Sequence, residues 1–108
     1  MTSEYCIAMT TLDDEDSASR LARTVVEAKL AACVQLVHIR SVFSWEGAVD
    51  DAREVLVLMK TRIGVYERLQ QFVRDNHPYE VPEILQIPVT TGYAPYLSWV
   101  SDNTTATV

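Results

Sequence analysis

Glu54-Val55-Leu56-Val57-Leu58-Met59-Lys60 is the stretch on which the fold turns. Its unbroken apolar run between opposite charges has the pattern of a central strand covered on both faces, or of one covered by a partner. Upstream, between Cys33 and Trp45, Val34, Leu36, Val37, Ile39, Val42 and Phe43 are too β-branched and too irregularly spaced for a helix. They predict a long strand with room for a bend. Glu46-Gly47 begins the turn that follows, so the two strands make a hairpin.

Working outward, residues 5–11 form a short apolar run of β-compatible composition, followed at once by Asp13-Asp14-Glu15-Asp16. That acidic cluster opens a helix: an aspartate caps orphan amides and the other carboxylates favour the positive end of the helix dipole. Ala18, Leu21, Ala22, Val25 and Val26 then recur at helical spacing, predicting a core-facing stripe to about Ala32. Val65, Leu69, Phe72 and Val73 give a second amphipathic helix, ended by Asn76 in a left-handed cap with Pro78 just beyond. A strand over 83–90 follows, and Pro95-Tyr96-Leu97-Ser98-Trp99-Val100 reads as a short helical turn docking its aromatics. Residues 1–4 and 101–108 are expected to fray.

The order β-α-β-β-α-β with a C-terminal addition predicts an α+β fold, a ferredoxin-like split βαβ sandwich with two helices on one face of an antiparallel sheet. Right-handed crossovers put the first and third strands in the middle. The second and fourth are then edges, which suits Pro88 because proline lacks the amide proton a central strand needs. Edges as apolar as Val34 to Trp45 template aggregation unless covered, so a homo-oligomer joined through edge strands is expected.

A chain of 108 residues with 48% hydrophobic content fits one domain, 1–108, with a real core. Its net charge of −6, without a basic cluster, argues against nucleic acid and anionic membranes and favours cations as ligands. The N-terminal residues carry no secretory pattern and no run reaches transmembrane length, so a reducing cytoplasm is expected. There Cys6 and Cys33 read as small buried thiols in preference to a disulfide.

The chemistry concentrates in His77-Pro78-Tyr79-Glu80-Val81-Pro82-Glu83, which places an imidazole and two carboxylates where two elements meet. His77 supplies a borderline nitrogen, Glu80 and Glu83 hard oxygens, and Cys33 a soft thiolate. That mixture suits copper or zinc where several members converge. Each has a plainer role as well: His77 as a turn residue held extended by Pro78, Glu83 in a salt bridge, and Trp45 and Tyr79 in core or interface. His38, between Val37 and Ile39, alternates to the other face, into solvent or an intersubunit position.

Five segments in order carry a resemblance: Lys29-Leu30-Ala31-Ala32-Cys33-Val34, Ser41-Val42-Phe43-Ser44-Trp45-Glu46-Gly47, Lys60-Thr61, the stretch from His77 to Ile84, and Tyr96-Leu97-Ser98-Trp99-Val100. Together they resemble the signatures of the CutA divalent-cation tolerance family, over about 5–100. The resemblance implies a trimer akin to the PII signalling proteins, copper or other divalent-cation binding, a role in the response to metal ions, and no established reaction. The resemblance retains His77 as a metal ligand; with the residue chemistry above, the candidate metal residues are His77, Glu83 and Cys33, and the candidate cleft or interface residues are Trp45, Glu46, Lys60, Tyr79, Glu80 and Trp99. No cofactor is obligatory on this reading. Relatives credited with metal binding carry a cysteine and a second histidine where this chain has Thr10 and Asn76.

Two enzyme or nucleic-acid readings of the topology are disfavoured. Acylphosphatase-like hydrolysis needs positive charge around a phosphate after the first strand, where Asp13 to Asp16 repel anions. An RNA-binding sheet needs surface aromatics on the central strands, which offer only Tyr5. A PII-like trimer that senses a small molecule or anchors a protein is the alternative to metal binding.

Overall fold

Strand β3 (Ala48–Arg62) pairs with β2 (Cys33–Trp45) on one side and β1 (Tyr5–Leu12) on the other, and β1 also pairs with β4 (Ile84–Val89). The sheet order is therefore β2-β3-β1-β4, antiparallel throughout, with β1 and β3 central as expected from crossover handedness. The computed structural model describes residues 3–105. Helices α1 (Glu15–Glu27) and α2 (Ile63–Asp75) supply the crossovers, and α3 (Ala94–Asp102) follows β4.

Period-two alternation divides the sheet. Ala8, Leu12, Val55, Val57 and Met59 point to the helical side and are buried against Ala18, Leu21 and Val25 of α1 and Val65, Leu69 and Val73 of α2. Fully burying one such side chain contributes about 1.5–3 kcal/mol, so this layer is the main source of stability. Ile7, Met9, Leu56 and Leu58 alternate to the other face and are half-buried, while Val37, Leu85 and Ile87 remain exposed. The radius of gyration, 14.4 Å, exceeds the roughly 13 Å of a compact chain this long. The outer half of the β2–β3 hairpin accounts for the excess, since its residues from Val42 to Asp51 are exposed.

Several element boundaries differ from the sequence reading. Helix α1 stops at Glu27, not near Ala32. Lys29 adopts φ 59°, its amide donates to Val26 O at 3.0 Å, and the Leu30 amide donates to Val25 O at 3.1 Å. This is a Schellman ending, with buried Leu30 packed near buried Val25. Asn76, expected in the left-handed region, has φ −112°; it ends α2 through its side chain, whose Nδ2 donates to Phe72 O at 2.8 Å. Strand β3 begins at Ala48, because the polar residues Asp50, Asp51 and Arg53 face solvent on a two-stranded ribbon that no helix covers.

At the C-terminal end, α3 docks Val100, 2% exposed, while Tyr93, Tyr96 and Trp99 stay exposed, so its aromatics are not the docking surface expected of them. The fraying expected from residue 101 onward does not hold for 101–105. Thr104 is buried, Arg62 donates to its Oγ1 at 2.8 Å, and the Thr105 amide donates to Lys29 O at 2.8 Å. At the other end, Glu4 O accepts from the Ile63 amide at 2.9 Å. Residues 1–2 and 106–108 lie outside the described part of the chain.

Candidate functional site

The His77 to Glu83 segment leaves the end of α2 and wraps the end of β1. His77 is half-buried, and both of its ring nitrogens are engaged. Nε2 lies 2.8 Å from the Thr11 carbonyl oxygen and Nδ1 accepts from the Tyr79 amide at 3.1 Å. A carbonyl only accepts and an amide N–H only donates, so the ring is neutral with its proton on Nε2.

Tyr79 packs edge-on to His77, ring centroids 4.7 Å apart, and its hydroxyl donates to Glu54 Oε2 at 3.0 Å. Burial raises the Tyr79 hydroxyl well above its ordinary pKa, and the bond to Glu54 with the charges of Glu54, Asp13 and Asp14 raises it further. The His77 imidazole and the Glu54 carboxylate thus contact this tyrosine, and the negative charges of Asp13 and Asp14 act on it from the start of α1. Asp14 also caps α1, accepting from the Ser17 amide at 2.7 Å, and this bond holds its carboxyl below the usual range. Neither Glu54 nor the Thr11 carbonyl was singled out in the sequence. Glu54 read as the flank of a strand, and only the spatial return of Tyr79 gives it a partner.

The other candidates lie elsewhere. Glu80 and Glu83 are exposed, and neither forms a salt bridge among the described residues. Cys33 pairs with Lys60 across the hairpin, and Thr11, which His77 touches, pairs with Leu56. Four residues of β3 separate those rows, roughly 13 Å along the strand. Cys33 thus belongs to a second cluster with Tyr96, whose hydroxyl is raised by burial and then by Cys33, and with Lys60, whose Nζ is 5.9 Å from the Tyr96 ring centroid. Trp99 stacks on Tyr96 with centroids 5.7 Å apart. Trp45 and Glu46 are at the hairpin tip, with Trp45 60% exposed.

Thr10 faces the core, its Oγ1 buried without a hydrogen-bond partner among the described residues. No three described His, Cys, Asp or Glu side chains stand close enough to hold a metal ion. A cleft of about 570 Å³ opens between α1 and α2, lined in part by Arg20, Asp75, Asn76, His77 and Pro78. His38 is on the helical face, 2.9 Å from Glu15 and largely exposed. No described helix is long and apolar enough to cross a membrane.

The family model described as CutA1 divalent ion tolerance protein matches residues 6–103. The chain belongs to the CutA1 family. Mouse Protein CutA is 45% identical over 94 residues, covering 86% of this chain and 53% of the mouse protein. The divalent-cation tolerance protein CutA of Thermus thermophilus is 37% identical over 99 residues, covering 91% of this chain and 96% of that one. The chain spans about half the length of the mouse and human relatives, 53% and 52%, and almost all of the bacterial one. The crystal structure of CutA1 from Oryza sativa superposes with a TM-score of 0.92 at 36% identity, covering 96% of each chain. CutA1 structures thus share the split βαβ sheet and its helices.

Proposed function

We propose that this CutA1-family chain takes part in divalent-cation tolerance by binding copper or another divalent cation, as a homotrimer and without catalysis. The observation that carries the cation reading is the Glu54 carboxylate bonded to Tyr79 beside the His77 imidazole, with the negative charges of Asp13 and Asp14 acting on the same end of the sheet. A negative field at a neutral imidazole attracts cations, and nitrogen with carboxylate oxygen suits copper or zinc. In this proposal Glu83, which is exposed on the same segment, adds a ligand from one chain to a cleft shared with another. Cys33 is too far along the sheet to join His77 within a chain, so it enters such a site only across a subunit boundary. A reducing cytoplasmic setting, which keeps Cys6 and Cys33 as the free thiols they are, completes the proposal.

The engagement of both His77 nitrogens favours a second reading, a PII-like trimer that binds a small molecule or anchors a protein with no physiological metal. The cleft between α1 and α2 is then the site. Calorimetric titration with Cu²⁺, Zn²⁺ and a nucleotide panel separates the two. Cation binding that His77→Ala weakens at least tenfold supports the first. Nucleotide binding without cation binding supports the second.

A further inference from the structure

We propose that the cleft between α1 and α2 binds a free α-amino acid with an apolar side chain, Arg20 taking its carboxylate and Asp75 its ammonium. This rests on the small-molecule reading given above for the cleft and names its ligand class.

The two walls carry opposite charges that do not meet. Arg20 stands on α1 and Asp75 at the end of α2, both line the cleft, and among the described residues neither forms an ion pair. Opposite charges that face one cleft without pairing are complementary to a ligand that carries both signs. Each is already oriented. Arg20 Nη2 donates to Ser17 Oγ at 3.4 Å, and that hydroxyl donates on to Asp14 Oδ2 at 3.0 Å. Asp75 Oδ1 accepts from Gln71 Nε2 at 2.9 Å, an uncharged donor that leaves the carboxylate its charge. The guanidinium fork suits a carboxylate, and Asp75 offers acceptor oxygen to an ammonium.

Between the charges the surface is carbon. Leu12 and Leu21 are buried beneath the cleft and Phe72 is half-buried in its wall. Other polar side chains there are engaged with backbone: Thr24 Oγ1 donates to the Arg20 carbonyl, Asn76 Nδ2 donates to the Phe72 carbonyl, and both His77 nitrogens are held. An apolar side chain lying on this floor is matched by it, and the volume of about 570 Å³ is that of a small-molecule site. Nucleotide phosphates fit the same charges poorly. They meet one guanidinium with Asp14 and Asp75 beside it, whereas a zwitterion adds no net charge to a chain of net −6.

L-Leucine is the probe, titrated into the unmutated chain and followed by NMR. It is expected to shift the amides of Arg20, Leu21, Phe72 and Asp75. Isoamylamine, which lacks the carboxylate, and N-acetylleucine, which lacks the ammonium, are each expected to bind about tenfold more weakly, the scale of one charge-assisted hydrogen bond. Arg20→Gln and Asp75→Asn are expected to weaken leucine by a similar factor; both residues are exposed, and circular dichroism checks that the fold is kept. Leucine binding that neither substitution weakens, or that N-acetylleucine equals, overturns the proposal. A nucleotide that shifts the cleft amides where leucine does not overturns the ligand class and keeps the small-molecule reading. A cleft that answers neither probe overturns both.

Discussion

Lys29 is the residue at which backbone strain can be isolated. The Schellman ending of α1 requires a left-handed residue there, and φ is 59° on a side chain that pays a steric cost of about 1–2 kcal/mol for that region. Glycine removes this cost but gives the unfolded chain more freedom, an offset of about 0.5–1 kcal/mol. Lys29→Gly is therefore expected to stabilise the fold by about 0.5–1 kcal/mol, since the Lys29 contacts described are made by its backbone amide and carbonyl and survive the change. A urea midpoint that stays put or falls would contradict this. The same scale explains what could be read of the site. His77 was legible because an imidazole between a helix end and a proline is conspicuous. The atoms that lock it were not, because a Thr11 carbonyl and a Tyr79 amide carry no side-chain signal and meet His77 only in the fold. Cys6 was legible as a buried thiol, and burial indeed pushes its pKa up to about 11.

Among the elements, the β2–β3 hairpin depends most on its turn. Glu46 and Gly47 both have positive φ, 48° and 81°, as a two-residue turn matching strand twist demands. A Cβ on Gly47 would meet nothing within 4 Å, so Gly47→Ala costs only backbone strain, about 1–2 kcal/mol. Because the arm projects past the helices, the loss is expected as local opening: faster hydrogen exchange for amides 42–51, with a smaller fall in the global unfolding midpoint. Equal protection in both proteins would show that the turn does not hold the arm. Periodicity made the sheet order and both long helices legible, because β3 is apolar throughout its covered half and α1 and α2 keep their stripes. It failed where covering ends. The outer part of β3 is a strand by pairing with β2, not by hydrophobic pattern, and beyond the end of α1 a lysine takes the left-handed position usually held by glycine. In α3, Val100 is the residue that is buried, while Tyr96 and Trp99 stack on each other and stay partly exposed, Tyr96 beside Lys60 and Cys33.

At the scale of the whole molecule, the single chain leaves large apolar side chains in water at both sheet edges. Trp45 is 60% exposed at the end of β2, and Leu85 and Ile87 are 52% and 45% exposed on β4. Neither edge is blunted along its full length: Pro88 interrupts β4, yet β2 carries no proline. An unpaired apolar edge either aggregates or pairs, and a closed ring of like chains pairs each β2 arm with a neighbouring edge and leaves none over. The closed ring proposed here has three members, so light scattering is expected to give three times 12.2 kDa, about 37 kDa, at micromolar concentration. Charges at these positions separate assembly from folding, because Trp45 and Ile87 are absent from the buried core between sheet and helices. Trp45→Lys with Ile87→Lys is expected to yield 12.2 kDa monomers that keep their helical and strand content by circular dichroism, with a lower unfolding midpoint because trimer assembly no longer adds to stability. A double variant that remains trimeric would remove these residues from the interface, and an unmutated chain that scatters as a monomer would remove the trimer itself.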